Sequence, residues 1–154
     1  MKAVLQRVSE ARVRVGEETV GRIAAGSVVL LGVAEGDTDG DAAWMADRIA
    51  GLRVFADPDG KMNLDIRQAG GAVLLISQFT LLADTRKGRR PSFVAAADPA
   101  EGERLYEAVA ESLRFAGVGV QCGRFGAHME VELTNDGPVT VILDSADRKR
   151  PRRS

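Results

Sequence analysis

Alternating and continuous apolar runs predict β-strands in the first third of the chain and again near its end. A first strand begins near Val4, and in the next stretch Val13 and Val15 alternate with arginines, as in a half-buried strand. Residues 27–33 and 72–76 are almost entirely apolar, which is typical of strands covered on both faces. Further strands are predicted at about 19–23, 118–124, 129–134 and 139–143.

Two segments combine helical spacing of apolar residues with capping signals at their starts. Thr38 is followed three residues later by Asp41, which predicts a capped helix that ends near Gly51. Asp98, followed directly by proline, starts a second helix that ends at Gly117. Because no repeat or linker interrupts the sequence, we expect a single α/β domain with a largely antiparallel, barrel-like sheet and two main helices.

Two proline-containing segments have the composition of turns. Residues 57–60 read Asp-Pro-Asp-Gly, and their spacing does not match an EF-hand calcium loop. Residues 135–138 read Asn-Asp-Gly-Pro and predict a turn between the last two strands. The peptide bond before Pro138 can also be cis at a cost of only about 0.5–1 kcal/mol, and two consecutive carbonyl groups would then point in nearly one direction.

Composition adds detail mainly at the C-terminus. The 154 residues are 45% apolar and 28% charged with a net charge of −1, which is ordinary for a globular domain and indicates no global affinity for nucleic acid. Residues 148–153 read Arg-Lys-Arg-Pro-Arg-Arg, so we expect a domain over 1–144 and a flexible basic tail over 145–154, which either contacts phosphates or is solvated. With no apolar run long enough for a membrane span and no signal peptide, a cytoplasmic location without a membrane partner is expected.

The residue types of familiar catalytic machinery do not come together in this sequence. A serine hydrolase needs a base beside its nucleophile, and the one histidine, His128, lies in an apolar predicted strand, where a structural or surface role fits better. Ser77 has no Gly-x-Ser-x-Gly elbow around it, and the single Cys122 excludes an internal disulfide and a multi-cysteine zinc site. Phosphate-binding fingerprints and metal-ligand clusters are absent as well, so we expect no metal and no cofactor.

The polar residues that directly follow the central strand are more unusual. Residues 77–81 read Ser-Gln-Phe-Thr-Leu and stand where the end of a buried strand can present backbone N–H groups to a ligand. An ordinary polar strand end is the alternative, just as Gly137 and Pro138 alone indicate an ordinary turn. Neither segment by itself indicates a function.

Together with three other motifs, these segments make the chain resemble the D-aminoacyl-tRNA deacylase family over nearly its whole length. The opening Met-Lys-Ala-Val-Leu-Gln-Arg-Val is similar to the family's first strand. The motifs are Gly60-Lys61-Met62-Asn63-Leu64, Ser77-Gln78-Phe79-Thr80-Leu81, Arg90-Pro91-Ser92-Phe93, Gly123-Arg124-Phe125 and Asn135-Asp136-Gly137-Pro138-Val139-Thr140. Each motif is weak alone, whereas five in this order on a chain of this length are specific.

The resemblance implies a homodimeric proofreading enzyme that hydrolyses the ester bond of D-aminoacyl-tRNA and of glycyl-tRNA mischarged on tRNA-Ala. It implies that Gly137 and Pro138, joined by a cis peptide bond, enter the partner subunit's active site as a chiral gate. Their carbonyl oxygens would fix the substrate's α-amino group, and that of Pro138 would fill the space of an L side chain. Arg7 resembles the arginine that orients this gate, and Met129 is assigned to the same substrate-binding group.

The resemblance also implies cleavage without a side-chain base. The 2′-hydroxyl of the terminal adenosine would assist, and backbone N–H groups near Phe79 and Thr80 would stabilise the oxyanion, a kind of donor whose loss costs about 10²–10³ in rate. Ser77 and Gln78 would shape the pocket, and the Thr80 hydroxyl would position the substrate rather than attack it. Four cations of the loop after the site strand are expected either to meet the tRNA acceptor end or to be solvated: Arg86, Lys87, Arg89 and Arg90.

Two alternatives stay open at the level of the sequence. The chain could be a nucleic-acid-binding module that depends on its basic tail, with Gly137 and Pro138 forming only a turn. It could also be a related deacylase with a trans Gly-Pro peptide bond and relaxed chirality.

Overall fold

A six-stranded sheet forms the centre of the protein, as seen in a computed structural model that describes residues 1–151. The elements in chain order are β1 Lys2–Val15, β2 Glu18–Ile23, β3 Gly26–Gly32, α1 Asp39–Gly51, β4 Phe55–Ala56, β5 Met62–Leu64, β6 Ala72–Ser77, α2 Pro99–Phe115, β7 Gly119–Cys122 and β8 Glu130–Asp144. Strands β4 and β5 form a separate hairpin. Two 3-10 helices, Phe79–Leu82 and Ser145–Lys149, follow β6 and β8.

The sheet is mixed, with antiparallel pairing around β1 and parallel pairing around β6. Strand β1 pairs antiparallel with β2, β3 and β8, whereas β6 lies parallel to both β3 and β7. Parallel neighbours need long crossover connections, and the segments containing α1 and α2 supply them. The predicted single domain with two main helices and a largely antiparallel, barrel-like sheet is therefore confirmed, with a parallel arrangement around the central strand.

Both faces of the central strand β6 are buried, as its continuous apolar sequence predicts. Val73 and Leu75 pack with the helices in one apolar cluster, while Leu74 and Ile76 belong to a second cluster on the opposite face, where the sheet curls over itself. All four side chains are 1% exposed or less. The strand is thus rigidly held up to its last residue, Ser77.

Strand β1 is one long element rather than the two stretches that the sequence indicates. Its pairing with β8 passes from Val8 opposite Asn135 to Glu10 opposite Thr134, so that two steps along β1 face a single step along β8. Such a bulge inverts the alternation of side chains. Leu5 accordingly packs toward the helices, whereas Val13 packs in the second cluster.

The prediction that residues 135–138 form a turn between two separate strands is wrong. Strand β8 pairs with β1 along both of its halves, with Gln6 opposite Thr140 and Val8 opposite Asn135. Residues 136–139 therefore bulge out opposite Arg7, and the chain then continues in its original direction. The turn chemistry of this segment shapes a bulge because β1 is long enough to pair with both halves of β8.

The helices begin at the predicted caps. Thr38 Oγ1 accepts a hydrogen bond from Asp41 N at 3.3 Å, and Asp41 Oδ2 accepts one from Thr38 N at 2.9 Å, which completes a capping box. At the start of α2, Asp98 Oδ1 accepts a hydrogen bond from Ala100 N at 3.0 Å. No helix in the described part of the chain is long and apolar enough to cross a membrane.

Regular structure continues past Asp144, where the sequence predicts the domain to end. Ser145 is buried, and its N–H donates to the Met1 carbonyl at 2.9 Å. The 3-10 helix that begins there contacts α1 through an Arg148–Asp41 ion pair of 3.6 Å. The predicted tail boundary at residue 145 therefore falls within packed structure. Residues 152–154 of the predicted tail lie outside the described residues, and the tail's flexibility stays a prediction.

Candidate active site

The end of β6 opens onto a cavity of about 530 Å³ with largely apolar walls. Four parts of the chain build it: the end of β3, the end of β6, the stretch leading into the first turns of α2, and the loop between β7 and β8 with the start of β8. Its main side chains are Ser77, Gln78, Phe79, Phe93, Tyr106, Phe125, His128 and Met129. The structure thus brings together Ser77, Gln78, Phe79 and Met129, which the sequence proposed as site residues.

Two aromatic residues of the cavity, Phe93 and Phe125, were not proposed as site residues. Both lie in the short motifs that carry the family resemblance, and these motifs were a usable signal. Tyr106 was missed because helical spacing identifies it only as part of the buried stripe of α2. These three residues come from distant parts of the chain, and only the fold brings them to one cavity.

Backbone donors are available at the strand end. Gln78 N donates to the Leu31 carbonyl at 2.8 Å, and the 3-10 helix Phe79–Leu82 follows at once. The first bonded N–H of that turn is that of Leu81, which donates to Gln78 O at 3.3 Å. The N–H groups of Phe79 and Thr80 precede it and have no acceptor among the described residues, as at the start of any helix.

The side chains around these donors are polar or aromatic. Gln78 Nε2 donates to Thr80 Oγ1, which orients the hydroxyl group. The Phe79 ring is 59% exposed and meets the Phe93 ring edge to face, with 5.1 Å between centroids. Thr80 is exposed beside the cavity but is not one of its lining residues.

Tyr106 fixes one wall of the cavity. Its hydroxyl group donates to the Leu75 carbonyl at 2.7 Å, and the same carbonyl accepts Gly123 N at 3.0 Å. Burial raises the pKa of Tyr106 above the ordinary value of a phenol, so the group stays neutral and serves as a donor. The Phe125 ring lies 5.9 Å from that of Tyr106.

The cavity contains no paired acid and base among the described residues. His128 is exposed at the rim and makes no hydrogen bond within the described part of the chain. Within that part, no group of three or more His, Cys, Asp or Glu side chains is arranged to hold a metal ion. The arrangement can bind an apolar or aromatic group and orient a carbonyl toward backbone donors.

Gly137 and Pro138 lie elsewhere, on the exposed bulge of β8, and the peptide bond between them is cis. Arg7 holds this bulge: its Nε donates to the Asp136 carbonyl at 2.9 Å, and its Nη1 donates to the Val54 carbonyl at 2.8 Å. Asn135 adds a second hold, because its Oδ1 accepts Val139 N at 3.0 Å. Arg7 thus contacts the peptide group immediately before Gly137.

The bulge and the strand-end cavity are at opposite ends of the sheet within one chain. Arg7 is paired with Ser27 of β3, whereas Ser77 is paired with Leu31 of the same strand. The two positions are four residue steps apart on β3, which is about 13 Å along the strand. Neither Gly137 nor Pro138 lines the cavity of its own chain.

The basic loop after the site is closed by its own contacts. Asp84 and Ser92 exchange two backbone hydrogen bonds of 2.8 and 2.9 Å. Arg86 binds the Asp84 carboxylate through Nε at 2.9 Å and Nη2 at 2.7 Å, and these bonds lower the pKa of Asp84 to about 2. Arg86 remains largely exposed in this pair, and Lys87, Arg89 and Arg90 are exposed and make no side-chain hydrogen bond or ion pair with any other described residue.

The cavity has largely apolar walls, and two backbone N–H groups at the end of β6 have no acceptor among the described residues. Comparisons with known proteins identify the family. The profile of the family described as D-Tyr-tRNA(Tyr) deacylase matches residues 4–144. A D-aminoacyl-tRNA deacylase of Thermus aquaticus is 59% identical over 148 residues, which cover 96% of this chain and 97% of the relative. Another, of Dehalococcoides mccartyi, is 57% identical over 153 residues, covering 99% and 100%.

Solved structures share the fold. One, named "c-Myc DNA Unwinding Element Binding Protein", has a TM-score of 0.88 and 39% identity, and covers 94% of this chain and 98% of that one. A probable eukaryotic D-amino acid tRNA deacylase has a TM-score of 0.78 at 18% identity, with coverage of 92% and 97%. The chain belongs to the D-aminoacyl-tRNA deacylase family. The expectation from its motifs, a member of a family of hydrolases, is confirmed.

Proposed function

We propose that this protein hydrolyses the ester bond of D-aminoacyl-tRNA and of glycyl-tRNA, releasing the free amino acid and tRNA in the cytoplasm. The observation that carries the proposal is that the N–H groups of Phe79, which lines the strand-end cavity, and of Thr80 next to it have no acceptor among the described residues. A rigid buried strand holds them in place, which suits donors that must be aimed before the reaction begins.

The chemistry proposed for this site needs little from side chains. Water adds to the ester carbonyl carbon, the carbonyl oxygen gains negative charge facing the N–H groups of Phe79 and Thr80, and the bond to the ribose oxygen then breaks. The proton lost by water goes to that ribose oxygen, with the neighbouring 2′-hydroxyl of the terminal adenosine assisting the transfer. Ser77 and Gln78 shape the pocket around the ester, and the Thr80 hydroxyl, oriented by Gln78, positions the substrate.

Selection against L-amino acids is proposed to come from a second copy of the chain. Gly137 and Pro138 are exposed, held by Arg7, and about 13 Å along the strand from the cavity of their own chain. A homodimer that inserts this bulge into the neighbouring cavity would place main-chain oxygens against the substrate's α-carbon. An L side chain would then clash, whereas a D side chain or the hydrogen of glycine would fit.

The deacylation test compares D-tyrosyl-tRNA, L-tyrosyl-tRNA and glycyl-tRNA. Hydrolysis of the D and glycyl substrates, with the L substrate spared, is expected. Equal hydrolysis of the D and L substrates, or of neither, would refute the proposal.

A complementation test addresses the crossing between subunits. Gly137→Ala damages the gate, and Ser77→Phe fills the cavity, so each homodimer should lose D-tyrosyl-tRNA deacylation, by about 5- to 150-fold for Gly137→Ala. Co-expressed chains form heterodimers in which one site combines an intact cavity with an intact gate, and activity should return. If the gate acts within its own chain, the mixture stays as inactive as its components.

Contact with the tRNA acceptor end is proposed for the exposed cations Lys87, Arg89 and Arg90. Each phosphate contact that is removed should reduce the slope of log affinity against log salt by about one. The triple alanine variant should bind tRNA more weakly and with less salt dependence. An unchanged slope would assign these side chains to solvent.

A second candidate function, nucleic-acid binding apart from deacylation, is favoured by the name of one structural neighbour, which refers to a DNA element. A chain that ends at residue 150 keeps the 3-10 helix Ser145–Lys149 and lacks the last basic residues. Deacylation should be unchanged in that variant. Loss of DNA or tRNA affinity together with unchanged catalysis would support a separate binding role of the tail.

A further inference from the structure

Two sets of hydrogen bonds, joined through the backbone between Arg53 and Val54, connect the β4–β5 hairpin with the bulge that carries Gly137. We propose that Arg53, Asn63 and Asp57 are positioning residues for the chiral gate and act on it through Arg7. This inference rests on the proposed function, because it assigns the hairpin a part in D-selectivity.

The connection starts from Arg7, which contacts both the bulge and the segment before the hairpin. The guanidinium group bridges two carbonyl oxygens, that of Asp136 in the bulge and that of Val54 below it, at 2.9 and 2.8 Å. Its side chain is only 16% exposed, and its bond to the Val54 carbonyl is partly buried, whereas its bond to the Asp136 carbonyl is exposed. The direction of the guanidinium group, and with it the peptide before Gly137, therefore depends on where the Val54 carbonyl points.

Residues 52–54 are not held by a strand ladder, since the hairpin pairing begins only with Phe55 opposite Leu64. Val54 is buried in the core and its N–H donates to the Leu52 carbonyl at 3.2 Å, and a side chain adds a tie to β5. Arg53 Nε donates to the Asn63 carbonyl at 2.7 Å, and its Nη2 donates to Asn63 Oδ1 at 3.3 Å. These bonds tie the residue next to Val54 across to β5.

Asp57 in turn fixes the Asn63 side chain. Asn63 Nδ2 donates to Asp57 Oδ2 at 2.7 Å, while Asp57 Oδ1 accepts the N–H groups of Asp59 and Lys61 at 2.9 Å each. The Asn63 bond lowers the pKa of Asp57 most, so the carboxylate is charged at neutral pH. Because Asp57 Oδ1 is held by the backbone of the turn, Asp57 Oδ2 has a fixed position from which it orients the Asn63 side chain.

These side chains are on an exposed hairpin and not in the apolar core, so their loss should affect the gate more than the fold. In Asn63→Ala we expect the ratio of D to L deacylation, measured as kcat/KM on D- and L-tyrosyl-tRNA, to fall at least about fivefold, the factor for one net hydrogen bond. The melting temperature should change by only a few degrees. Asp59→Asn, the same kind of exposed hairpin position without a side-chain bond, should leave the ratio unchanged.

An exchange of the two groups tests the direction of the bonds. Asp57→Asn and Asn63→Asp each break the contact between positions 57 and 63 when made alone. The double variant D57N/N63D restores it, because the amide at position 57 can donate to the carboxylate at position 63, which still accepts from Arg53. Recovery of the D/L ratio in the double variant is expected, and no recovery would overturn the proposal.

A double-mutant cycle with Arg7 distinguishes this inference from the proposed function itself. If the hairpin acts through Arg7, Asn63→Ala should have no further effect on the ratio once Arg7→Ala is present. Equal effects of Asn63→Ala in both backgrounds would overturn the positioning role and leave the gate intact. If Arg7→Ala does not alter the ratio at all, positioning through Arg7 is refuted, and the gate itself is judged separately by Gly137→Ala.

Discussion

Replacing Gly137 with alanine is the sharpest test of the bulge, because this backbone position has φ of +144°, which L residues rarely adopt. A Cβ built there would stand 2.8 Å from Val139 N, 2.8 Å from Val139 Cγ2 and 3.3 Å from Arg7 Nη2. The first contact is with backbone and cannot be relieved by rotating a side chain. Holding the native conformation would cost about 1–3 kcal/mol from the dihedral angles alone.

The exposed bulge can avoid that cost by changing its backbone conformation. The variant can therefore lose activity while it keeps most of its stability. We expect the free energy of unfolding, measured in urea, to fall by no more than about 1–3 kcal/mol. If activity needs the native bulge, the same energies correspond to a loss of about 5- to 150-fold in D-tyrosyl-tRNA deacylation. Single-turnover kinetics on D- and L-tyrosyl-tRNA measure the effect.

Gly16→Ala is the matched control for Gly137→Ala. Gly16 also has positive φ, +59°, but a Cβ there would meet nothing within 4 Å, and the residue lies in the β1–β2 turn. The control should lose about 1–2 kcal/mol of stability and keep its D/L ratio. A Gly137→Ala enzyme with full rate and full selectivity would refute the role of the bulge, whatever its stability.

Three further outcomes are expected. Thr80→Ala should keep deacylation within about tenfold of the parent, because the proposed oxyanion donors are backbone groups; complete inactivation of a folded variant would make the hydroxyl a participant. Tyr106→Phe should lower the free energy of unfolding in urea by about 1 kcal/mol, because the Leu75 carbonyl keeps its bond from Gly123; a loss above about 3 kcal/mol would contradict this. The Asp84 carboxyl should titrate near pH 2 by NMR, and its pKa should rise in Arg86→Ala. Because the pKa in the folded state lies below the ordinary value, the ionised carboxylate stabilises the loop fully above about pH 4. This stabilisation is lost as the pH falls toward 2.

Local features of the sequence are sufficient to predict where the two helices begin and that polar residues follow the buried strand β6. A helix cap depends on residues only a few positions apart, so Thr38 with Asp41, and Asp98 with the proline after it, could be recognised from the sequence alone. The apolar run of β6 likewise specifies a strand covered on both faces, and the polar residues after it must stand at its end. These interactions join residues that are close in sequence, and the folded structure stabilises them further.

Register and long-range contacts were decided by the tertiary structure. Whether residues 135–138 reverse the chain or bulge from it depends on the length of β1, a strand more than a hundred residues earlier. The bond from Arg7 to Asp136 and the meeting of Phe93, Tyr106 and Phe125 around one cavity have the same character. Sequence spacing constrains only neighbours a few residues apart, whereas these contacts follow from which strands pair, in which register, and on which face each side chain then lies.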